Sequence, residues 1–140
     1  MSAVEVSTDP ARLDRERVLR WITEESYWAR GRAASTMDRA MAGSVVFGAY
    51  DDGGRQLGFA RLVTDGATFG WLCDVFVDDA ARGLGVGKAL VAAVRAEAER
   101  CGLRRVMLAT ADAHGLYAQY GFRELAKPGL FMELPVDRTG

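Results

Sequence analysis

Arg82-Gly83-Leu84-Gly85-Val86-Gly87-Lys88 follows the apolar run Phe69 to Val77 and opens a segment in which Val86, Leu90, Val94 and Ala98 recur along one helical stripe. The stretch is therefore a strand handing over to a helix that runs to about Arg100, through a turn of alternating glycines. Glycine reaches backbone conformations barred to other residues and removes side chains that would hold a ligand away. The amides of a first helical turn have no acceptor inside the helix and carry the positive end of its dipole, so a phosphate suits them. Arg82 and Lys88 add charge at the rim. The two common nucleotide motifs do not fit. A P-loop needs Gly where Arg82 stands and Ser or Thr where Ala89 stands, and a dinucleotide fingerprint needs Gly in place of Lys88. Spacing alone leaves open a flexible strand-to-helix turn that holds no ligand.

Working outward, Gly102 suits the left-handed position that ends the helix. Arg105 to Thr110 contains Val106-Met107-Leu108-Ala109, a short apolar run of the kind buried on both faces. Strand, helix and strand make a βαβ unit with parallel strands. Upstream, Val45 to Tyr50, Leu57 to Thr64 and Phe69 to Val77 are β-prone, and Asp51-Asp52-Gly53-Gly54 and Asp65-Gly66-Ala67-Thr68 are turns, predicting an antiparallel meander. Val4 to Ser7 is a candidate first strand. Asp14 caps a helix to about Glu25, with Val18 and Ile22 facing inward. Ser26 to Arg32 reads as a loop carrying Tyr27 and Trp28, and Ser35 with Asp38 resembles a capping box opening a second helix that ends near Gly43. Asp112 is placed to cap a last short helix closed by Gly121, and Leu130 to Leu134 is expected as a final strand. The expected fold is α+β: a mixed, mostly antiparallel sheet flanked by helices with one βαβ crossover, in a single domain over residues 1–140.

Eighteen basic residues against nineteen acidic ones give a net charge of −1, without the basic excess that phosphate contacts demand of a nucleic-acid partner. Cys73 and Cys101 show no CxxC or His spacing, so reduced, buried thiols are expected and no metal site. No run approaches the ~18 apolar residues of a membrane span. No signal peptide is visible, and a cytoplasmic location is expected. A homodimer is left open.

Two motifs carry a resemblance. Arg82-Gly83-Leu84-Gly85-Val86-Gly87 has the form [Q/R]-x-x-G-x-[G/A], and Leu116-Tyr117-Ala118-Gln119-Tyr120-Gly121-Phe122 has the form [F/L]-Y-x-x-x-G-F. One helix and one strand separate them, and Val75-Phe76-Val77 precedes the first. In this order they resemble the acetyl-CoA signature and closing element of the GNAT family of N-acetyltransferases, and the element order agrees over nearly the whole chain. The resemblance implies an α+β fold whose fourth and fifth strands splay apart. It implies that the backbone of Val75, Phe76 and Val77 pairs with the pantetheine arm, and that Arg82, Gly83, Leu84, Gly85, Val86, Gly87 and Lys88 hold the pyrophosphate of acetyl-CoA. It also implies transfer of the acetyl group to a primary amine by direct attack, with an N–H at the end of the fourth strand polarising the thioester carbonyl.

Tyr117 matches the family tyrosine that reaches the cofactor sulfur, where a phenol can protonate the departing thiolate. Packing of its ring against the sheet is the structural alternative. Asp74 interrupts an otherwise apolar strand, where a carboxylate needs a partner or a role. It can hold or deprotonate the acceptor amine, or it can pair with Arg61 of the neighbouring strand. His114, one turn before Tyr117, is a further candidate base. Tyr27 and Trp28 fall where the family covers its acceptor. Thr110 stands where many relatives carry Asn contacting the cofactor arm, and Asp112 is a candidate substitute. A non-catalytic acyl-CoA-binding or sensor module on the same fold and a nucleotide-binding domain are the alternatives. The acceptor, a small molecule or a peptide, is unnamed by the sequence.

Overall fold

The computed structural model describes residues 3–136. Its five-stranded sheet has the order β1-β2-β3-β4-β5, formed by β1 (Glu5–Ser7), β2 (Val45–Tyr50), β3 (Gln56–Thr64), β4 (Phe69–Val77) and β5 (Arg105–Met107). Neighbours from β1 to β4 run antiparallel, and β5 lies parallel to β4. The α+β architecture with one crossover is as the sequence predicts.

Helices cover both faces, which explains why β2 reads as a nearly continuous apolar run. Consecutive residues of a strand point to opposite faces. Thus Val46 and Phe59 join Val18, Trp21, Ile22 and Met37 under the N-terminal helices, while Phe47 and Ala60 pack with Val86, Leu90, Val91 and Val94 on the other face. The N-terminal layer is α1 (Arg15–Arg20), capped by the Asp14 side chain accepting from Arg17 N–H at 3.2 Å, and α2 (Ala34–Ala42). The opposite layer is α3 (Val86–Cys101), ended by Gly102 at φ 70°, and the short α4 (His114–Ala118).

α1 does not stop at Arg20 but widens into a π turn over Trp21–Glu25, where Ser26 N–H donates to Trp21 C=O at 2.9 Å. Thr23 and Ser26 hydroxyls donate back to Leu19 and Ile22 C=O at 2.6 and 2.7 Å, and such back-bonding distorts a helix. This π turn launches the loop bearing Tyr27 and Trp28.

Three sequence expectations are corrected. Ser35 lies inside α2, which begins after Ala33 with no side-chain cap, and Asp38 instead accepts from Arg15 of α1 at 2.8 and 2.6 Å. Asp112 does not cap α4, which begins after Ala113 with no side-chain cap; Thr110 Oγ1 accepts from Asp112 N–H at 3.4 Å and Ala113 N–H at 3.1 Å in the turn before it. Leu130 to Leu134 forms no strand. A 3-10 turn at Pro128–Leu130 leads into extended chain without ladder bonds, and Met132 is 97% exposed. The apolar spacing there is right for a strand, but β5 offers a partner edge only three residues long. Phe131 alone reaches it, its ring centroid 5.2 Å from the Arg105 guanidinium carbon. Both cysteines are unpaired as expected, yet each is half-buried rather than enclosed.

α3 packs unusually close to β3 at Gly58. A Cβ there would lie 2.8 Å from Val86 Cγ1, 3.0 Å from Phe76 C=O and 3.1 Å from Leu90 Cδ1. Backbone on one side and a helix on the other leave nothing free to yield. Gly58→Ala is expected to destabilise the fold by about 1–3 kcal/mol through overpacking, read by thermal or urea unfolding. An unchanged midpoint would show that α3 moves aside freely.

Candidate functional site

Pairing between β4 and β5 is confined to Phe69 with Arg105, Gly70 with Val106 and Trp71 with Met107. Beyond Trp71 the two chains part, so the β5-facing edge of residues 72–77 has no strand partner among the described residues. The expected splay is therefore present. It leaves this edge of β4 open, with Val77 lining the adjoining cavity, whereas Phe76, paired with Phe59 next to the Asp78 N–H bond to Leu57 C=O, turns its backbone groups toward β3.

At the end of that edge, a 3-10 turn over Asp79–Ala81 carries the chain into the glycine turn. Gly83 and Gly85 sit at φ 85° and 79°, a region that an L side chain enters only with strain. A Cβ at either would meet nothing within 4 Å, so both glycines border open space. The amides of Gly83, Gly85, Val86, Gly87 and Lys88 donate to no acceptor among the described residues, and no side chain caps α3. Those of Gly85 to Lys88 are the orphan donors of a sixteen-residue helix, and Gly83 belongs to the turn that leads into it. An open cavity of about 520 Å³ faces them, lined by Val77, Ala81, Arg82, Gly83, Gly85, Val86, Gly87, Lys88 and Leu116. Leu84 points outward and is exposed. Arg82 pairs with Asp79 at 2.9 Å on the surface, and Lys88 is exposed. The turn can hold a phosphorylated ligand, and nothing in its shape opposes one.

Leu116, on the cavity wall, is the neighbour of Tyr117 in α4. Tyr117 is only 8% exposed, with its ring set edge-on to Phe122 at 5.7 Å. The ring packs in the core, as the structural alternative has it. The hydroxyl bonds to no described residue and is not fully enclosed. Burial, reinforced by the nearby Tyr27 and Asp112, raises its pKa above the ordinary 10.0 and keeps the proton on oxygen. His114 lies on the exposed first turn of the same helix.

Asp74 occupies a β-bulge. Phe59 pairs with Phe76 and Arg61 with Cys73, so Ala60 faces two residues, Asp74 and Val75. Asp74 alone among the described non-glycine residues has positive φ, at 53°. Its side chain is 1% exposed and fully engaged. Oδ1 accepts from Trp28 Nε1 at 2.9 Å, and Oδ2 accepts from Arg32 Nη1 at 2.8 Å and Arg61 Nε at 2.9 Å. The pairing with Arg61 weighed from the sequence is therefore present, joined by two partners that the sequence did not suggest. Burial pushes the carboxyl up, but the Arg32 and Trp28 hydrogen bonds and the two guanidinium charges outweigh it and leave the pKa below 3.8. Neighbouring Cys73 behaves oppositely, its thiol pushed by burial up to about 11.

Through Asp74 the N-terminal loop is tied to β4. Trp28 lies 6.4 Å from the Phe76 ring and 5.0 Å, edge-on, from Tyr27. Tyr27, Trp28 and Arg32 thus form a wall beside the bulge. Among the described residues, no group of three His, Cys, Asp or Glu side chains could hold a metal ion, and no helix is long and apolar enough to cross a membrane.

Comparison with known proteins places this geometry. The family model described as Acetyltransferase (GNAT) family matches residues 15–122. A Xanthomonas campestris pv. campestris crystal structure, of "a putative acetyltransferase belonging to the gnat family", is 46% identical, covers 97% of this chain and 95% of its own, and superposes with a TM-score of 0.90. The Gibberella zeae protein "Putative acetyltransferase FG08082" is 29% identical over 133 residues, 81% of this chain and 75% of that protein. A GNAT-family acetyltransferase from Streptococcus pneumoniae TIGR4, 21% identical with a TM-score of 0.69 over 99% of this chain and 100% of its own, shares the fold.

Proposed function

Because the chain belongs to the GNAT family of acetyltransferases, we propose that it moves the acetyl group of acetyl-CoA to a primary amine by direct attack, with Tyr117 as the acid for the departing thiolate. One observation carries this reading. The orphan amides of the glycine turn face a cavity that is also lined by Val77, on the unpaired edge of β4, and by Leu116, the neighbour of Tyr117 in α4. This supports a reading in which the turn cradles the pyrophosphate, the open β4 edge meets the pantetheine arm and Tyr117 serves the thioester.

Acetyl-CoA supplies an acyl group already activated as a thioester. The amides of Gly83, Gly85, Val86, Gly87 and Lys88 hold its pyrophosphate, helped by the α3 dipole. Lys88 and Arg82 add charge, and the exposed Arg82–Asp79 pair is weak enough to exchange for a phosphate. The backbone of Val75 and Val77 binds the arm as an added strand would, and a β4 N–H polarises the carbonyl. The acceptor nitrogen bonds to the carbonyl carbon as the carbon–sulfur bond breaks. The amine's surplus proton leaves to water, Tyr117 gives its phenolic proton to sulfur, and water returns one to Tyr117.

Asp74 is assigned a positioning role rather than that of a base. A carboxylate with a depressed pKa and three donors on it has little basicity left to offer an amine. What it does is hold Trp28 and Arg32 against β4. The test is release of free thiol from acetyl-CoA across a panel of amines. Amine-dependent release is expected, whereas tight CoA binding without turnover of any amine would leave a sensor module in its place.

A further inference from the structure

The cluster around Asp74 is unbalanced. One carboxylate faces two guanidinium groups, leaving a net positive charge beside the bulge. The remaining donors are unequal. Arg61 spends Nε on Asp74 and Nη1 on Ser44 Oγ at 3.1 Å, and its side chain is 12% exposed. Arg32 spends only Nη1, on Asp74 and on Met37 Sδ at 3.3 Å, and is 22% exposed. Its Nε and Nη2 have no acceptor among the described residues and are not enclosed. No second acidic side chain bonds to either arginine among the described residues. The carboxylates nearest in sequence are otherwise occupied or exposed: Asp38 with Arg15, Glu25 with Arg20, and Glu24 on the surface.

We infer that Arg32 is the specificity-determining residue of the acceptor site and that the acceptor is an amine bearing a carboxylate, of the amino-acid class. Nε and Nη2 form the planar fork that takes a carboxylate with two parallel hydrogen bonds. Asp74 fixes the fork by holding the third nitrogen, which lowers the ordering cost of binding. Position supports the same assignment. Trp28 shares Asp74 with Arg32, packs beside Phe76 of β4, and meets Tyr27 edge-on. The anion-reading group therefore stands beside the aromatic wall that packs on β4 at Phe76. A carboxylate on Arg32 directs an amine carried on the same molecule toward the β4–β5 opening. Polycationic amines meet uncompensated positive charge there and are selected against. For its reactive half this inference rests on the acetyltransferase reading, but the carboxylate site stands on its own geometry.

The experiment separates the two. Phenylalanine and phenethylamine differ only by the carboxylate, as do N-acetylphenylalanine and N-acetylphenethylamine. The second pair is titrated into the CoA-loaded protein and its affinities are read by isothermal titration calorimetry. N-acetylphenylalanine is expected to bind about 10- to 100-fold more tightly, and Arg32→Gln to bring that ratio toward one. Arg32→Lys, which keeps the charge but not the fork, is expected to fall between. Equal binding of the two by the wild-type protein, or an unchanged ratio in Arg32→Gln, overturns the assignment. The first pair is then assayed for thiol release. Preferential binding without any turnover would retain the carboxylate site and sink the acetyltransferase reading; turnover preferring phenethylamine or spermidine over phenylalanine would do the reverse.

Discussion

Replacing Tyr117 by phenylalanine is expected to lower turnover by about 100-fold or more, the usual contribution of a positioned general acid, while leaving CoA affinity nearly unchanged. The ring already lies in the core against Phe122, and the hydroxyl makes no bond to a described residue, so its removal costs little structure. Steady-state kinetics with acetyl-CoA would show the loss in kcat. Lost affinity with intact turnover would contradict the role. The pH profile gives a second check. Burial raises the Tyr117 pKa, so the acid form persists through neutral pH and the limb it governs descends only above 10.0. That limb should disappear from the residual activity of Tyr117→Phe.

The second large effect belongs to Asp74→Ala. Removing a carboxylate that is 1% exposed leaves Arg32 and Arg61 facing each other without a counter-charge, a kind of loss that costs about 3–5 kcal/mol. Alanine also tolerates the φ of 53° less well than aspartate does. Urea unfolding should register both losses, and Asp74→Asn, which keeps the shape and the indole contact, should lose less. A wild-type midpoint for Asp74→Ala would show the cluster to be energetically idle. The sign with pH follows from the depressed pKa. The stability Asp74 contributes is present above its unfolded value of 3.8 and lost as pH falls through the lower folded value, so Asp74→Asn should flatten the acid limb of stability.

What the sequence made legible was local. The meander from Val45 to Val77, the Val86 helix with its Gly102 terminus, and the glycine turn all follow from periodicity and turn chemistry within a few residues. The failures were equally physical. Asp38 looked like half of a capping box, but a bidentate Arg15 on another helix outcompeted the local N–H. Leu130 to Leu134 has strand composition, and composition says nothing about whether a neighbouring edge is long enough to receive it. At Asp74 the sequence exposed a carboxylate in an apolar strand and named Arg61. Trp28 and Arg32 lie forty-six and forty-two residues away, and only the bulge brings them together. An arginine on an aromatic loop was the one available signal, too common to be read alone.

The central claim is that the amides opening α3 hold the pyrophosphate of coenzyme A. Backbone amide resonances of the 15N-labelled protein, followed during titration with CoA, test it most directly. Gly83, Gly85, Val86, Gly87 and Lys88 should move together and saturate, with Val75 and Val77 following, and ATP at the same concentrations should not reproduce the joint pattern. Shifts confined elsewhere, or a glycine turn that stays still while CoA binds, would contradict it.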